Sequence, residues 1–452
     1  MEKEMATRPK IRTKFGFFYK NWNLEKLPDY VFFQEGPGIR TSQFTDSGMK
    51  VINVKNILAS GTIDISNSYR YISLKEFNSK YRHFEIEKGD IVVSSSGWSY
   101  GKVARIKKNN LPLMMNTSVI RFRPLSTKLL NIEYLYNFLR SSFFKNQIEN
   151  FIIGCQQPNF GPSHLKKMVI PIPSLPTQNK IASIISAYDD LIENNTRRIK
   201  ILESMAQTLY QEWFVKFRFP GHEQVKMVES DLGLIPEGWE VTELEKLIDI
   251  KHGYAFKSKF YSKEPTSQIL LTPGNFAIGG GYQDKKLKYY DGDVSEEFIL
   301  DSGDLLVTMT DLSKLGDTLG YPAFVPASKE LTYLHNQRLG KVLIKEDSQI
   351  GKQLLYYIFC SDSYRHHVLA SATGSTVKHT APVRIGSFKI ALPSIEIRNK
   401  FESIADSFYR QIACLNLKSD NLRKTRDLLL PKLISGQIDV ENLDIDTGEI
   451  AA

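Results

Sequence analysis

Cysteine is scarce: Cys155, Cys360 and Cys414 are the three in a chain of 452 residues. They are too few and too scattered for a disulfide scaffold or a zinc knuckle. They suit a reducing compartment, where a buried Cys acts as a small hydrophobe. Long apolar runs are missing too. No stretch approaches the ~18 apolar residues of a membrane span. The charged start Met1-Glu2-Lys3-Glu4 has no apolar segment behind it, so no signal peptide is expected.

Catalytic signatures are equally thin. The sequence has no phosphate loop, no His-Glu-x-x-His zinc helix and no Gly-x-Ser-x-Gly elbow. Gly279-Gly280-Gly281 lacks the surroundings of a dinucleotide fingerprint and reads as a flexible loop. His366-His367 has no carboxylate or Cys partner at ligand spacing, so no metal is expected. Acidic residues form no compelling pair. The chain is not expected to be an enzyme by itself.

What is present is ordinary globular material, 42% hydrophobic and 24% charged, enough for several domains. Lys and Arg total 59 against 50 Asp and Glu, a net +9 that is compatible with a polyanionic partner without requiring one.

The chain also repeats itself. Asn21-Trp22, Leu24 and Leu27 are echoed by Gly238-Trp239, Leu244 and Leu247, and Gly36 by Gly253. Further on, Asn56-Ile57 answers to Asn275-Phe276, and Gly89-Asp90-Ile91-Val92-Val93 to Gly303-Asp304-Leu305-Leu306-Val307. From Asn116 and Asn336 onward the offset stays at 220, through Gly154 and Gly374, Pro173-Ser174 and Pro393-Ser394, and Asn179-Lys180 and Asn399-Lys400. An ordered series of this kind signals two copies of one unit. Each copy holds a mixed region and a helical tail. The expected divisions are an N-terminal segment 1–19, a first mixed region 20–175, a helical arm 176–216, a connector 217–236, a second mixed region 237–395, a second arm 396–440 and a tail 441–452. The connector, from Pro220-Gly221 to Pro236-Glu237-Gly238, reads as a linker or an irregular connection.

Both arms carry coiled-coil spacing. Ile181, Ile185, Tyr188, Ile192, Asn195, Ile199, Leu202, Ala206, Leu209 and Trp213 follow at alternating steps of four and three. The second arm has Phe401, Ala405, Phe408, Ile412, Leu415, Ser419, Leu422, Arg426, Leu429 and Leu433, a seam weakened at Ser419 and Arg426. Pro431 predicts an end or a kink near Leu430. Asn195 is a polar seam residue of the sort that sets register. The arms read as a rigid helical spacer.

In the mixed regions strand-like runs alternate with polar loops: Asp90 to Ser94 and Val119 to Phe122, and their counterparts Asp304 to Thr308 and Lys341 to Ile344. Ile132 to Leu139 and Leu354 to Phe359 read as helices. The regions are α+β, or α/β-like, with open topology.

Candidate DNA-contacting residues are spread over both copies: Lys102, Arg105, Lys107, Arg121, Lys166 and Lys167, then Lys251, Lys257, Lys259, Lys285, Lys286, Arg338, Lys378 and His379. Lys and Arg neutralise phosphates, while Gln156, Gln157 and Asn159 are candidate base readers in a Gly/Pro-rich stretch.

The whole constellation resembles the specificity subunit of type I restriction–modification systems. The resemblance rests on Ile172-Pro173-Ser174-Leu175-Pro176-Thr177-Gln178-Asn179-Lys180-Ile181, Leu191-Ile192-Glu193-Asn194-Asn195, Met205-Ala206-Gln207-Thr208-Leu209 and Trp213-Phe214-Val215-Lys216-Phe217. Gly233-Leu234-Ile235-Pro236-Glu237-Gly238-Trp239 and Leu429-Leu430-Pro431-Lys432-Leu433-Ile434-Ser435-Gly436 complete it.

The resemblance implies two duplicated target recognition domains and two long helices forming an antiparallel coiled coil. It implies that each domain reads one half of an asymmetric, bipartite site in double-stranded DNA, and that the coiled coil sets the gap and docks two methylation subunits. The methylation subunits would use S-adenosylmethionine, and the recruited restriction subunits ATP and Mg2+; this chain would bind no cofactor. A cytoplasmic bacterial or archaeal protein is expected. An autonomous methyltransferase would carry an Asn/Asp-Pro-Pro-Tyr/Phe motif, which Gln157-Pro158-Asn159-Phe160 does not supply. Two other readings stand beside this one: the recognition partner of a related two-subunit restriction system, and a coiled-coil adaptor that binds no DNA. Salt-dependent binding to random DNA separates the second from the others.

Overall fold

The computed structural model describes residues 11–13, 16–18, 22–64, 70–152 and 158–448. The chain forms two compact units, Met1–Asn194 with Ser419–Ala452 and Asn195–Lys418.

In the first unit a four-stranded antiparallel sheet runs Val103–Arg105, Ile91–Ser94, Val119–Pro124, Val31–Glu35. A five-stranded sheet runs Phe44–Thr45, Arg70–Ile72, Met49–Ile52, Leu113–Met115, Glu85–Ile86, with its one parallel pair between Met49–Ile52 and Leu113–Met115. The continuous apolar run of Ile91-Val92-Val93 follows from burial on both faces. Successive side chains point opposite ways. Ile91 and Val93 join the core beneath helices Ile132–Arg140 and Ser142–Ile152, whereas Val92 packs with Ile52, Ile86 and Leu113 of the second sheet. The layers are therefore helices, sheet, sheet.

The second unit repeats this. Its four-stranded sheet runs Pro322–Phe324, Leu305–Thr308, Leu339–Ile344, Ile248–His252. Its five-stranded sheet runs Tyr261–Ser262, Tyr289–Tyr290, Gln268–Leu271, Thr332–His335, Ile299–Leu300, again with one parallel pair in the middle. Leu305 and Val307 face helix Lys352–Cys360, and Leu306 faces Ile269 and Leu271. The open topology of the mixed regions is thus resolved as one α+β arrangement made twice.

Two long helices, Leu175–Tyr210 and Ile395–Ile434, each contribute a segment to both units. In the first unit Lys180 Nζ reaches the carbonyl oxygens of Glu441 and Leu443, beyond the end of the second helix. Farther along the first helix, Asp189 meets Arg426 on the second, so the pair runs antiparallel. In the second unit Phe401 packs its ring against Tyr210, Trp213 and Phe214. Ile181, Ile185, Ala206, Trp213, Phe401, Ala405, Leu415 and Leu433 are buried. Tyr188, Ile192, Ile199, Leu202, Leu209, Phe408, Ile412, Leu422 and Leu429 are half-buried. Even the polar seam positions Asn195 and Ser419 lie inside.

The Pro173-to-Lys180 motif has a mechanical role. Gln178 is buried; its amide donates to the carbonyl oxygens of Leu129 and Pro173, and its oxygen accepts from Asn131 N. Asn131 in turn caps helix Ile132–Arg140 by accepting from Glu133 N and Tyr134 N. The start of the long helix is thereby tied to the mixed region. In the second unit Arg398 donates to the carbonyls of Ser348 and Gln349, and the Glu402 carboxylate accepts from Gln353 N and Leu354 N.

The structure adds detail at four places. The second long helix continues through Pro431 to Ile434. Pro431 lies in the last turn, where it forfeits one backbone bond, and buried Leu430, Leu433 and Ile434 hold that turn in place. The connector is not irregular throughout: Met227–Ser230 and Gly233–Pro236 form an antiparallel hairpin, turned at Gly233 with φ of 87°. Gly279-Gly280-Gly281 is an ordered turn, with Ala277 N on Gly281 O and Gly281 N on Pro322 O at 2.8 Å each. A Cβ at Gly280 would stand 2.6 Å from Cys360 Sγ. The segment after the second helix, up to Gly448, packs on the first long helix, with Val440 buried and Ser183 Oγ on Thr447 O.

Candidate nucleic-acid interface

One end of each four-stranded sheet gathers polar residues from distant parts of the chain. In the first unit Glu35 pairs with Ile120 at the end of its strand, and Gly36 N donates to Val119 O. Ser95 N donates to Ser118 O, Phe160 N to Ser95 O, and Ser96 bridges to Asn159. Glu35, Ser96, Thr117, Ser118 and Asn159 line an open cleft of about 350 Å³. Burial raises the Glu35 carboxyl above its ordinary range. A glycine is required at Gly36 because a Cβ there would stand 2.2 Å from Asn116 O; Gly253 meets the same constraint, 2.3 Å from His335 O.

The second unit builds the same place. His252 pairs with Gly340, Met309 N donates to Arg338 O, and Thr310 pairs with His379, whose Nδ1 lies 3.2 Å from Thr310 Oγ1. The loop after Leu305–Thr308 is organised by Asp311, which accepts from Ser313 N and from Thr318 N and Oγ1. Burial would raise its carboxyl, but these hydrogen bonds outweigh burial and hold it low. Arg365 braces the same loop through the carbonyls of Gly316 and Leu319. Leu312 and Leu315 stand out from it, 65% and 79% exposed. The first unit ties its loop more simply: Ser94 Oγ accepts from Lys102 N and donates to Ser99 O.

The sequence candidates divide. Asn159, Arg338, Lys378 and His379 come together at these sheet ends. Lys166, Lys167, Lys257, Lys259, Lys285 and Lys286 are exposed, and Lys102 is half-exposed. Gln156 and Gln157 lie outside the described residues, as do Gly154 and Cys155. Other cations have partners within the chain. Arg121 is 8% exposed and donates to the carbonyls of Glu85 and His83, joining the two sheets. Arg105 pairs with Glu133, Lys107 with Glu193 at 2.8 Å, and Lys251 with Glu297 at 3.2 Å. Glu35, Ser96 and Ser118 carried no sequence signal: each is a common polar residue, and only strand pairing brings them together. His367 Nε2 lies 2.8 Å from Arg384 O. Among the described residues no group of His, Cys, Asp and Glu is arranged to hold a metal ion, and no helix is long and apolar enough to cross a membrane.

Two like units, with loops of different chemistry at the same end of each four-stranded sheet, and two long helices that contribute to both define a duplicated recognition protein. The family model "Type I restriction modification DNA specificity domain" matches twice, over residues 19–204 and 236–423. The chain belongs to this family and is a non-catalytic, DNA-binding specificity subunit of type I restriction–modification. It is 27% identical over 447 residues to the type I restriction enzyme MjaIX specificity subunit of Methanocaldococcus jannaschii, covering 95% of this chain and 96% of that one. The HindI specificity subunit of Haemophilus influenzae is 24% identical over 408 residues, 78% of this chain and 87% of the relative. The crystal structure of the type I S subunit from M. genitalium superposes with a TM-score of 0.51 at 17% identity, over 91% of this chain and 96% of that one, and so shares the fold.

Proposed function

We propose that each unit reads one half of an asymmetric, bipartite DNA site from the major groove, and that the paired helices set the gap between the halves. The observation that carries this reading is the duplication of one entire topology with loops of different chemistry: two like heads require two half-sites, and unlike loops require that they differ. Continuous helices of 36 and 40 residues supply a spacer of defined length. The helices also dock two methylation subunits. Leu191, Ile201, Met205, Leu417 and Leu428 point outward from the seam, and all are exposed by roughly half or more. Those subunits bring S-adenosylmethionine, flip the target adenine out of the duplex and methylate it. Restriction subunits bring ATP and Mg2+ to cleavage. The complex works in the cytoplasm, where its DNA is.

The test is methylation mapping of a genome that expresses this chain with its methylation subunits. A single bipartite motif with a fixed gap is expected. A contiguous motif, or no motif, overturns the reading.

A further inference from the structure

The first unit's cleft and the equivalent backbone positions of the second unit carry opposite chemistry. Three matched interactions fix the equivalence. Glu35 pairs with Ile120 as His252 pairs with Gly340. Ser95 N donates to Ser118 O at 2.9 Å as Met309 N donates to Arg338 O at 2.8 Å. Ser96 bridges to Asn159 as Thr310 pairs with His379. At these three positions the first unit thus holds Glu, Ser and Asn, and the second unit His, Arg and His. A carboxylate in one has been exchanged for imidazole and guanidinium groups in the other.

The Glu35 carboxylate has no hydrogen-bond or ion-pair partner among the described residues, although the residue is half-buried. Its neighbours in the cleft are uncharged: Ser96, Thr117, Ser118 and Asn159. A carboxylate repels phosphate, so this one is not placed to hold a DNA backbone. Burial disfavours its charge, and N–H donors brought by a ligand would relieve that cost. In the major groove the donors are the amino groups of cytosine and adenine. On adenine the amino group stands beside the N7 acceptor, which a carboxylate meets unfavourably; cytosine presents its amino group without one. Arg338 likewise has no side-chain partner among the described residues, and its planar fork of donors matches the O6 and N7 acceptors of guanine.

Resting on the bipartite reading above, we propose that these two equivalent sheet ends are base-reading sites of opposite preference. Glu35 accepts from a cytosine amino group in the first half-site, and Arg338 donates to a guanine in the second.

The test uses the full chain with its methylation subunits, a duplex library randomised at every position, and sequencing of the bound fraction for wild type, Glu35→Gln and Arg338→Gln. Glu35→Gln is expected to relax the choice of one G·C pair in one half-site by roughly ten-fold or more, leaving the other half-site and the gap unchanged. Arg338→Gln is expected to relax a G·C pair in the opposite half-site. Its salt dependence should stay that of wild type, because a base contact releases no counterion. If the wild type selects a bipartite site and both variants select it unchanged, the assignment falls while the bipartite reading stands. Uniform weakening by Arg338→Gln with a shallower salt slope makes Arg338 a phosphate contact and overturns its half of the assignment. If the wild type selects no bipartite site, both fall together. Should Glu35→Gln fail to assemble, the Arg338→Gln selection decides the proposal by the same outcomes.

Discussion

Arg426 of the second long helix donates to Asp189 of the first at 2.6 Å, and the same carboxylate takes Arg140 of the neighbouring helix at 2.6 Å. One anion thus joins the first mixed region to both arms within a single unit. A seam position that looked weak in sequence because it holds Arg is a cross-link in space. Burial would raise the Asp189 carboxyl, but Arg140 and Arg426 together hold it below its ordinary range.

Asp189→Asn takes the shared anion from two mostly buried guanidinium groups: Arg140 loses its carboxylate partner and, among the described residues, Arg426 keeps only Asp427. A loss of roughly 2 kcal/mol or more is expected in denaturant unfolding, less than for a fully buried pair because Asp189 keeps some solvent exposure. A lowered carboxyl stabilises the fold above the unfolded-state value near 3.8 and loses that contribution as pH falls through the folded-state value. The variant should therefore differ most from wild type at neutral pH and converge with it in acid. An equal difference at pH 7 and pH 2.5 would refute the ion-pair account.

His335 is fully buried and keeps Nε2 against Leu339 O at 3.0 Å. Burial pushes its imidazole down to about 4, from an ordinary 6.5. The unfolded chain takes up the proton first. The stabilisation is complete above pH 6.5 and is lost as pH falls toward 4, by ~3 kcal/mol in all. The equivalent strand position in the first unit is Met115, also buried. His335→Met should flatten the fall in stability between pH 7 and pH 4.5, measured by unfolding at each pH. An unchanged slope would show that His335 does not carry the acid sensitivity.

Gly36→Ala places a methyl group 2.2 Å from Asn116 O. The strand must shift, at a cost of about 1–3 kcal/mol. Because Gly36 adjoins Glu35, methylation mapping should show a degraded first half-site with the second half-site intact. Gly253→Ala should do the reverse.

The exposed and the structural cations should separate in a salt titration of DNA binding. Replacing Lys166 or Lys167 by Gln should lower the slope of log K against log salt by about 0.9 for each phosphate that is no longer neutralised. Arg121→Gln should leave the slope alone and lower stability by roughly 1–3 kcal/mol, because the carbonyls of Glu85 and His83 lose their charged donor. A lower slope for Arg121→Gln with unchanged stability would reverse these roles.

Removing one heptad from each long helix shortens both by about 10 Å, close to three base pairs of duplex. The mapped gap should change while the bases of each half-site persist. Altered bases at an unchanged gap would sink the spacer role.

The sequence by itself determined the duplication, the two seams and the family. These are carried by local or periodic relations: an offset of 220 residues, steps of four and three, a run such as Ile91-Val92-Val93. Helix periodicity survives in the sequence because each residue's face is set by its neighbours on the same helix. Tertiary structure decided which cations are free and which residues share a cleft. Arg121 and Lys166 are alike as letters; one is buried between two sheets and the other is exposed. Glu35, Ser96, Ser118 and Asn159 meet because strands distant in the chain pair side by side, and pairing depends on burial of whole layers, which no short stretch encodes. Pro431 shows the same rule at one residue: local propensity predicts an end or a kink near Leu430, and the helix runs on for one more turn to Ile434, with Leu430, Leu433 and Ile434 buried.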